Sequence, residues 1–298
     1  MTNYKTIQGL GTALITPFTL EGKLDLPALV RLLDKQLEAK VDFLVVLGTT
    51  GEAATLTPSE QKVVRKTIAE HIAGRIPLVL GVGGNCTQEV VERLGLLRDE
   101  LTQHYAAILS VCPYYNKPGQ EGLFRHFAAI AEASPVPVIV YNVPGRTGVN
   151  MLPQTVLRLA AKYPHRIIGV KEASGNQEQI EQIIRGARGS MFVVLSGDDG
   201  LTVPLMQAGA HGLISVLSNA LPEAAMRLVH TPKQPEQDAL NPLIASLFKE
   251  GNPTGIKALL SEQGICSDRV RLPLVEATNE LHHIVQQQLS AYESSYIR

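Results

Sequence analysis

One pattern constrains this chain more than any other. Eight short runs of β-branched and other apolar residues recur along it, separated mainly by stretches of helical period. The runs are LGTALITPF (10–18), VDFLVVLG (41–48), IPLVLGVGG (76–84), YAAILSVCP (105–113), VPVIVYNVP (136–144), RIIGVKE (166–172), MFVVLSG (191–197) and HGLISVL (211–217). Each is short enough for a strand and nearly continuous in apolar character, as parallel strands covered on both faces must be. Between them, residues 25–40 carry Leu29, Leu32, Leu33 and Leu37 as one stripe, and 57–74, 87–103 and 122–133 are similarly amphipathic. Thr57 or Ser59 is expected to cap the second of these helices, with Pro58 in the first turn, where its missing N–H costs little.

Eight strand–helix units predict an α/β fold, a (β/α)8 TIM barrel. An open doubly wound sheet is the second choice, because the units are even and carry no dinucleotide fingerprint. Residues 231–298 show helical patterning without strand runs. They open on the polar, proline-containing HTPKQPEQD, which reads as a linker. The expected organisation is a catalytic barrel over 1–230 and a small C-terminal helical extension over 231–298.

Composition narrows the function classes. The net charge is −1 over 298 residues, and no basic cluster is interleaved with aromatics, so no nucleic-acid partner is expected. The N-terminal stretch lacks the charged-then-apolar order of a signal peptide, and no transmembrane span is read, so a cytoplasmic location is expected. Cys86, Cys112 and Cys266 are widely spaced and form no CxxC, which predicts buried free thiols rather than disulfides or structural zinc.

In such a barrel the chemistry sits at the C-terminal strand ends. Those ends read GTTGE (48–52), CPYYNKPG (112–119), YNVPGRTG (141–148), KEASG (171–175) and SGDDG (196–200). Lys171 stands out, because it follows Ile167, Ile168, Gly169 and Val170 in a buried run, while most other lysines fall on helical faces or polar turns. Burial disfavours an ammonium and favours the neutral amine, the form that attacks a carbonyl. The competing reading is an ion pair with Glu172 or a neighbouring acid. Tyr141 and Tyr115, at two further strand ends, supply phenols able to donate and accept the protons of imine chemistry. GTTGE offers either an anion-binding backbone nest or a plain turn. Arg146 is placed either to hold a carboxylate bidentately or to sit in solvent. Asp198 and Asp199 lack further ligands for a metal and read better as a helix N-cap.

Taken together, ALITPF, GTTGE, CPYYNKPGQEG, YNVPGRTG, IIGVKEASGN, LSGDDG and HGLISV resemble, in order and spacing, the dihydrodipicolinate synthase / N-acetylneuraminate lyase superfamily, and most closely its synthase branch. The resemblance covers nearly the whole chain and fades in the C-terminal helices. It implies a class I aldolase without metal or organic cofactor, in which Lys171 forms an imine with pyruvate. Tyr141 would be the central acid/base, linked through Thr49 to Tyr115, which in this family reaches into a partner subunit's site. Thr50 would hold the pyruvate carboxylate, Arg146 that of aspartate-4-semialdehyde, and the backbones of Gly197 and Ile214 would line the pyruvate pocket. The pathway implied is lysine and diaminopimelate biosynthesis, and the assembly a homotetramer built as a dimer of dimers. Two threonines in GTTGE and Arg146 favour the synthase over aldolases of sugar acids, the alternative. Asn85, Glu89 and Tyr114 match a lysine-inhibition site, but Pro58 and Gln61 stand where sensitive members often carry histidine, so weak or absent inhibition is expected.

Overall fold

The computed structural model describes residues 7–296. All eight apolar runs form strands: β1 Gly9–Ala13, β2 Phe43–Val46, β3 Leu78–Gly81, β4 Ala107–Val111, β5 Val138–Asn142, β6 Ile167–Glu172, β7 Val193–Ser196 and β8 Gly212–Ser215. They follow one another in chain order as a closed barrel, and the neighbouring strands whose register is resolved run parallel. Helices separate the strands, among them Leu26–Glu38, Pro58–Ile72, Gln120–Ala133, Pro153–Lys162 and Gln177–Ala187. Three helices, Gln234–Phe248, Thr254–Glu262 and Asn279–Tyr296, make up the C-terminal extension.

The local signals act as their chemistry dictates. Thr57 caps Pro58–Ile72 in a full capping box: its hydroxyl accepts from the Glu60 N–H, and the Glu60 carboxylate accepts from the Thr57 N–H. Three expectations need correction. The 87–103 pattern is two helices, Thr87–Leu96 and Arg98–His104, broken at Leu97, whose N–H reaches both Arg93 O and Gly95 O. Gly95, beside the break, weakens continuation. HTPKQPEQD is mostly helix, because a proline is tolerated in the first turn of Gln234–Phe248, where no intrahelical N–H bond is lost. Cys86 is exposed at the start of Thr87–Leu96, while Cys112 and Cys266 are buried as expected.

The chain divides into two compact units. One is built on Pro77–Ile214 and carries β3 to β7 with most of β8. The other joins Leu10–Ile76 to the segment from Ser215 onward, so the C-terminal helices belong with most of β1 and all of β2. The sequence-based boundary after residue 230 falls inside this second unit. Within it, Gly255 lets two helices touch backbone to backbone: a Cβ there would lie 2.3 Å from Leu247 O. Glu236, buried, accepts from Arg227 Nε at 2.7 Å and from the Tyr292 hydroxyl at 3.1 Å, tying the last helix down.

His282 adds a pH-dependent tie. Its Nδ1 lies 2.9 Å from Glu262 and its Nε2 3.0 Å from Asp268. Partial burial disfavours the imidazolium, but hydrogen bonds and charge from the two carboxylates outweigh it and raise the group above its ordinary 6.5. A raised folded value stabilises below the unfolded value and is lost as pH rises through the folded one. The melting temperature of His282→Gln should therefore fall short of the parent's most at about pH 5.5, below the ordinary imidazole value, with the gap narrowing as pH rises above that value. A gap independent of pH across a melting series refutes the tie.

Candidate active site

The first unit carries a pair of side chains set by strand register. Tyr141 on β5 pairs with Lys171 on β6, and the next rung pairs Asn142 with Glu172. Side chains alternate across a strand, so the two rungs face opposite ways. On the first, Lys171 Nζ stands 4.4 Å from the centroid of the Tyr141 ring, and both residues are 7% exposed. Among the described residues no carboxylate lies within ion-pair distance of Lys171.

The second rung explains why. The Glu172 carboxylate, fully buried, accepts from Asn142 Nδ2 at 3.0 and 3.1 Å, from the Ser174 N–H at 2.9 Å and from Gln179 Nε2 at 3.3 Å. Burial pushes its carboxyl above the ordinary range, against the pull of these donors. Its polar needs are met behind the strand, so Glu172 does not neutralise Lys171, and the structural ion-pair reading of the lysine fails. Asn142 is itself held, its Oδ1 accepting from the Met151 N–H at 3.0 Å.

Gly197, just past β7, crowds the lysine stem. A Cβ at this position would lie 2.9 Å from Lys171 Cε and 2.6 Å from Ala173 Cβ, closer than real Cβ atoms approach their neighbours. We expect Gly197→Ala to displace the amine and lower turnover about 10- to 100-fold, the scale of an ångström-level misplacement. Single-turnover imine formation checks this, and an unchanged rate refutes it. Ile214, on β8, is buried at 1% exposure.

Tyr115 and Arg146 lie on loops of the same unit. Arg146 sits in a one-turn helix, Pro144–Thr147, directly after β5, and is exposed. The Tyr115 N–H reaches Thr147 O at 3.4 Å, joining the two loops. Tyr115 has φ 72° and Lys117 φ 47°, the left-handed region that non-glycine residues rarely occupy and that strains the backbone by about 1–3 kcal/mol each. The Tyr115 ring is 88% exposed and makes no hydrogen bond within the described residues. Of the matches to a lysine site, Glu89 and Tyr114 are exposed, and Asn85 O accepts from Asn116 Nδ2 at 3.3 Å. Asp198 caps the turn after β7, accepting from the Gly200 N–H at 2.9 Å, as its sequence position predicted. A surface hollow of about 360 Å³ beside Arg98, Glu132, His165 and Arg166 opens at the opposite strand ends, away from Lys171.

In the second unit, GTTGE folds as a tight turn, Thr49–Gly51, entered through Leu47 at φ 54° and left through Glu52 at φ 52°. The Gly51 and Glu52 N–H groups close on Gly48 O and Thr49 O, each at 3.1 Å. Thr50 is buried and Thr49 exposed.

A family model described as the dihydrodipicolinate synthetase family matches residues 6–292. The chain belongs to this family. A curated relative from Parabacteroides distasonis, a 4-hydroxy-tetrahydrodipicolinate synthase, is 47% identical over 276 residues, 90% of this chain and 91% of its own. Among solved structures, a dihydrodipicolinate synthase of Acinetobacter baumannii complexed with pyruvate superposes with TM-score 0.91 at 37% identity, covering 96% of this chain and 99% of the other. A monomeric dihydrodipicolinate synthase variant gives TM-score 0.90 at 38% identity over 97% and 98% of the two chains. These neighbours share the barrel architecture expected from the eightfold pattern.

One buried charged group escaped the sequence reading. Lys257, in Thr254–Glu262, is fully buried, and its Nζ donates to Glu52 Oε1 at 2.5 Å and to Arg269 O at 2.8 Å. A lone lysine inside the apolar GIKALL was its signal, but the partner lies in GTTGE, 205 residues away.

Proposed function

We propose that this chain catalyses the 4-hydroxy-tetrahydrodipicolinate synthase reaction, condensing pyruvate with L-aspartate-4-semialdehyde in lysine and diaminopimelate biosynthesis. The observation that carries the reading is the Tyr141–Lys171 rung, a buried amine against a phenol with no acid among the described residues to neutralise it. The Lys171 amine attacks the pyruvate carbonyl carbon, and Tyr141 delivers the proton with which hydroxide departs as water. The protonated imine draws electrons from the adjacent methyl group, which loses a proton to the Tyr141 phenolate left by the first transfer, giving the enamine and restoring the phenol. The enamine carbon then attacks the aldehyde of the second substrate. That substrate's own amine displaces Lys171, closing the six-membered ring and freeing the enzyme.

Arg146 is assigned to the carboxylate of the semialdehyde, Thr50 to that of pyruvate, and Thr49 and Tyr115 to the proton relay. Gly197 and Ile214 contribute backbone to the pyruvate pocket. An exposed phenol on a strained loop supports a site completed by a second copy of the chain, as a tight dimer whose pairs form a tetramer. Solution mass measurement tests this, since the structural relatives include a monomeric variant. A cytoplasmic setting completes the proposal. Among the described residues no helix is long and apolar enough to cross a membrane.

Borohydride added with pyruvate should fix a covalent adduct that peptide mapping finds on Lys171, and aspartate semialdehyde should yield cyclised product. If the enzyme instead cleaves N-acetylneuraminate and leaves the semialdehyde untouched, the substrate assignment is wrong. Feedback by L-lysine should be weak or absent, because Gln61 directs its amide to Ala53 O and Leu56 O rather than outward. An inhibition curve with half-effect at micromolar lysine would contradict this.

A further inference from the structure

The C-terminal extension reaches back into the GTTGE turn at two points, and neither contact has a place in the chemistry described above. Asn252 Nδ2 donates to Thr50 Oγ1 at 2.9 Å, with both residues buried. Five residues on, Lys257 holds one oxygen of Glu52, while the other accepts from the Arg271 N–H at 3.1 Å. Glu52 and Lys257 are among the most buried charges of the chain, at 4% and 0% exposure. Phe18 packs beneath both cations, its ring centroid 4.2 Å from Lys257 Nζ and 4.4 Å from the Arg271 guanidinium carbon. Arg271 also binds Glu60, Gly22 O and Thr55 O, so the far side of the turn is held as firmly.

The direction of the Asn252 bond matters. A hydroxyl that accepts from an amide keeps its own proton for another acceptor. With Asn252 occupying a lone pair, the Thr50 O–H is left to point elsewhere, as a donor to an anion must. The turn that carries it is left-handed at Leu47 and Glu52, conformations that persist only where the surroundings fix them. The Lys257–Glu52 pair supplies that fixation at one end of the turn, immediately after Gly51.

We propose that Asn252 and Lys257 are positioning residues for pyruvate binding: Asn252 orients the Thr50 hydroxyl to donate to the substrate carboxylate, and Lys257 clamps the turn through Glu52. The C-terminal extension thereby sets affinity for the first substrate without touching it. This rests on the pyruvate reading given above.

The test is the pyruvate concentration that half-saturates borohydride trapping, measured beside kcat on the full-length enzyme. Asn252→Ala should raise that concentration about 10-fold or more, the scale of a hydrogen bond to a charged group, with kcat at saturation within about 3-fold of the parent. In a Thr50→Val background, where the hydroxyl is gone, adding Asn252→Ala should change it less than about 2-fold, because the two act on one interaction. Asn252→Asp gives a second comparison if the alanine variant does not fold. An aspartate accepts the Thr50 proton instead of donating, so half-saturation should rise at least as far. Glu52→Gln combined with Lys257→Met should keep kcat while weakening pyruvate binding.

A merely structural role would lower the active fraction and leave half-saturation unmoved. That result overturns the proposal, as does an Asn252→Ala effect that persists in full without the Thr50 hydroxyl. A parent enzyme that traps no pyruvate at all overturns the proposed function instead, so the two failures are distinguishable.

Discussion

Lys171→Ala should abolish the borohydride-trapped pyruvate adduct and lower turnover roughly 10⁴-fold or more, the scale seen when a covalent nucleophile is deleted. The fold should survive. The lysine is 7% exposed and joins no ion pair among the described residues, so its removal leaves no buried charge unmatched. The β5–β6 ladder and the Asn142–Glu172 contact on the opposite face remain. A melting temperature near the parent's together with lost trapping separates chemistry from folding. Equal trapping in the variant, with the adduct on another lysine, would refute the mechanism, and Lys257 is the obvious competitor. Lys257 is nonetheless poorly suited to the task. Its amine is fully buried and already donates to Glu52 and Arg269 O, which leaves no approach for a carbonyl.

The second large effect is on stability. Lys257→Met should destabilise the enzyme by about 3–5 kcal/mol, because it leaves the Glu52 carboxylate buried without its cation. For a chain of this size the melting temperature should fall by about 10 °C. Burial lowers the proton affinity of Lys257 while the charge of Glu52 opposes that, so neither partner is comfortable alone. Adding Glu52→Gln should recover at least half of the loss: the glutamine carbonyl still accepts from the Arg271 N–H, and no unpaired charge remains. Thermal unfolding of the single and double variants checks both statements. A single-variant loss below about 1 kcal/mol would show that Glu52 finds water or a proton when its partner leaves.

The barrel was legible because its signal is local and repeated. Apolar runs the length of a strand recur between amphipathic helices, and no other closed arrangement accepts eight of them so evenly. Lys171 was legible for a related reason, since an ammonium among Ile167, Ile168 and Val170 contradicts its surroundings. What stayed hidden depends on tertiary pairing. Nothing in GTTGE announces that Glu52 meets a lysine 205 residues later, or that Thr50 meets Asn252 at a separation of 202. The break at Leu97 turns on a single backbone choice near Gly95 that helical periodicity does not register. HTPKQPEQD read as a linker because polarity and proline mark loops and first helical turns alike. The outward pose of Tyr115 follows from two left-handed residues that are not glycine, a conformation the sequence gives no reason to expect.

The two-sided rung at the ends of β5 and β6 has a consequence for how such an enzyme diversifies. Sliding one strand by a single position would exchange the amine for an acid, and the bonds to Glu172 from Asn142, Ser174 and Gln179 resist that slip. The imine chemistry proposed for Lys171 thus rests on the ladder itself, whereas Arg146 and Tyr115 ride on loops outside it. Loop exchange can therefore change the groups around these strand ends while the Tyr141–Lys171 rung keeps its register.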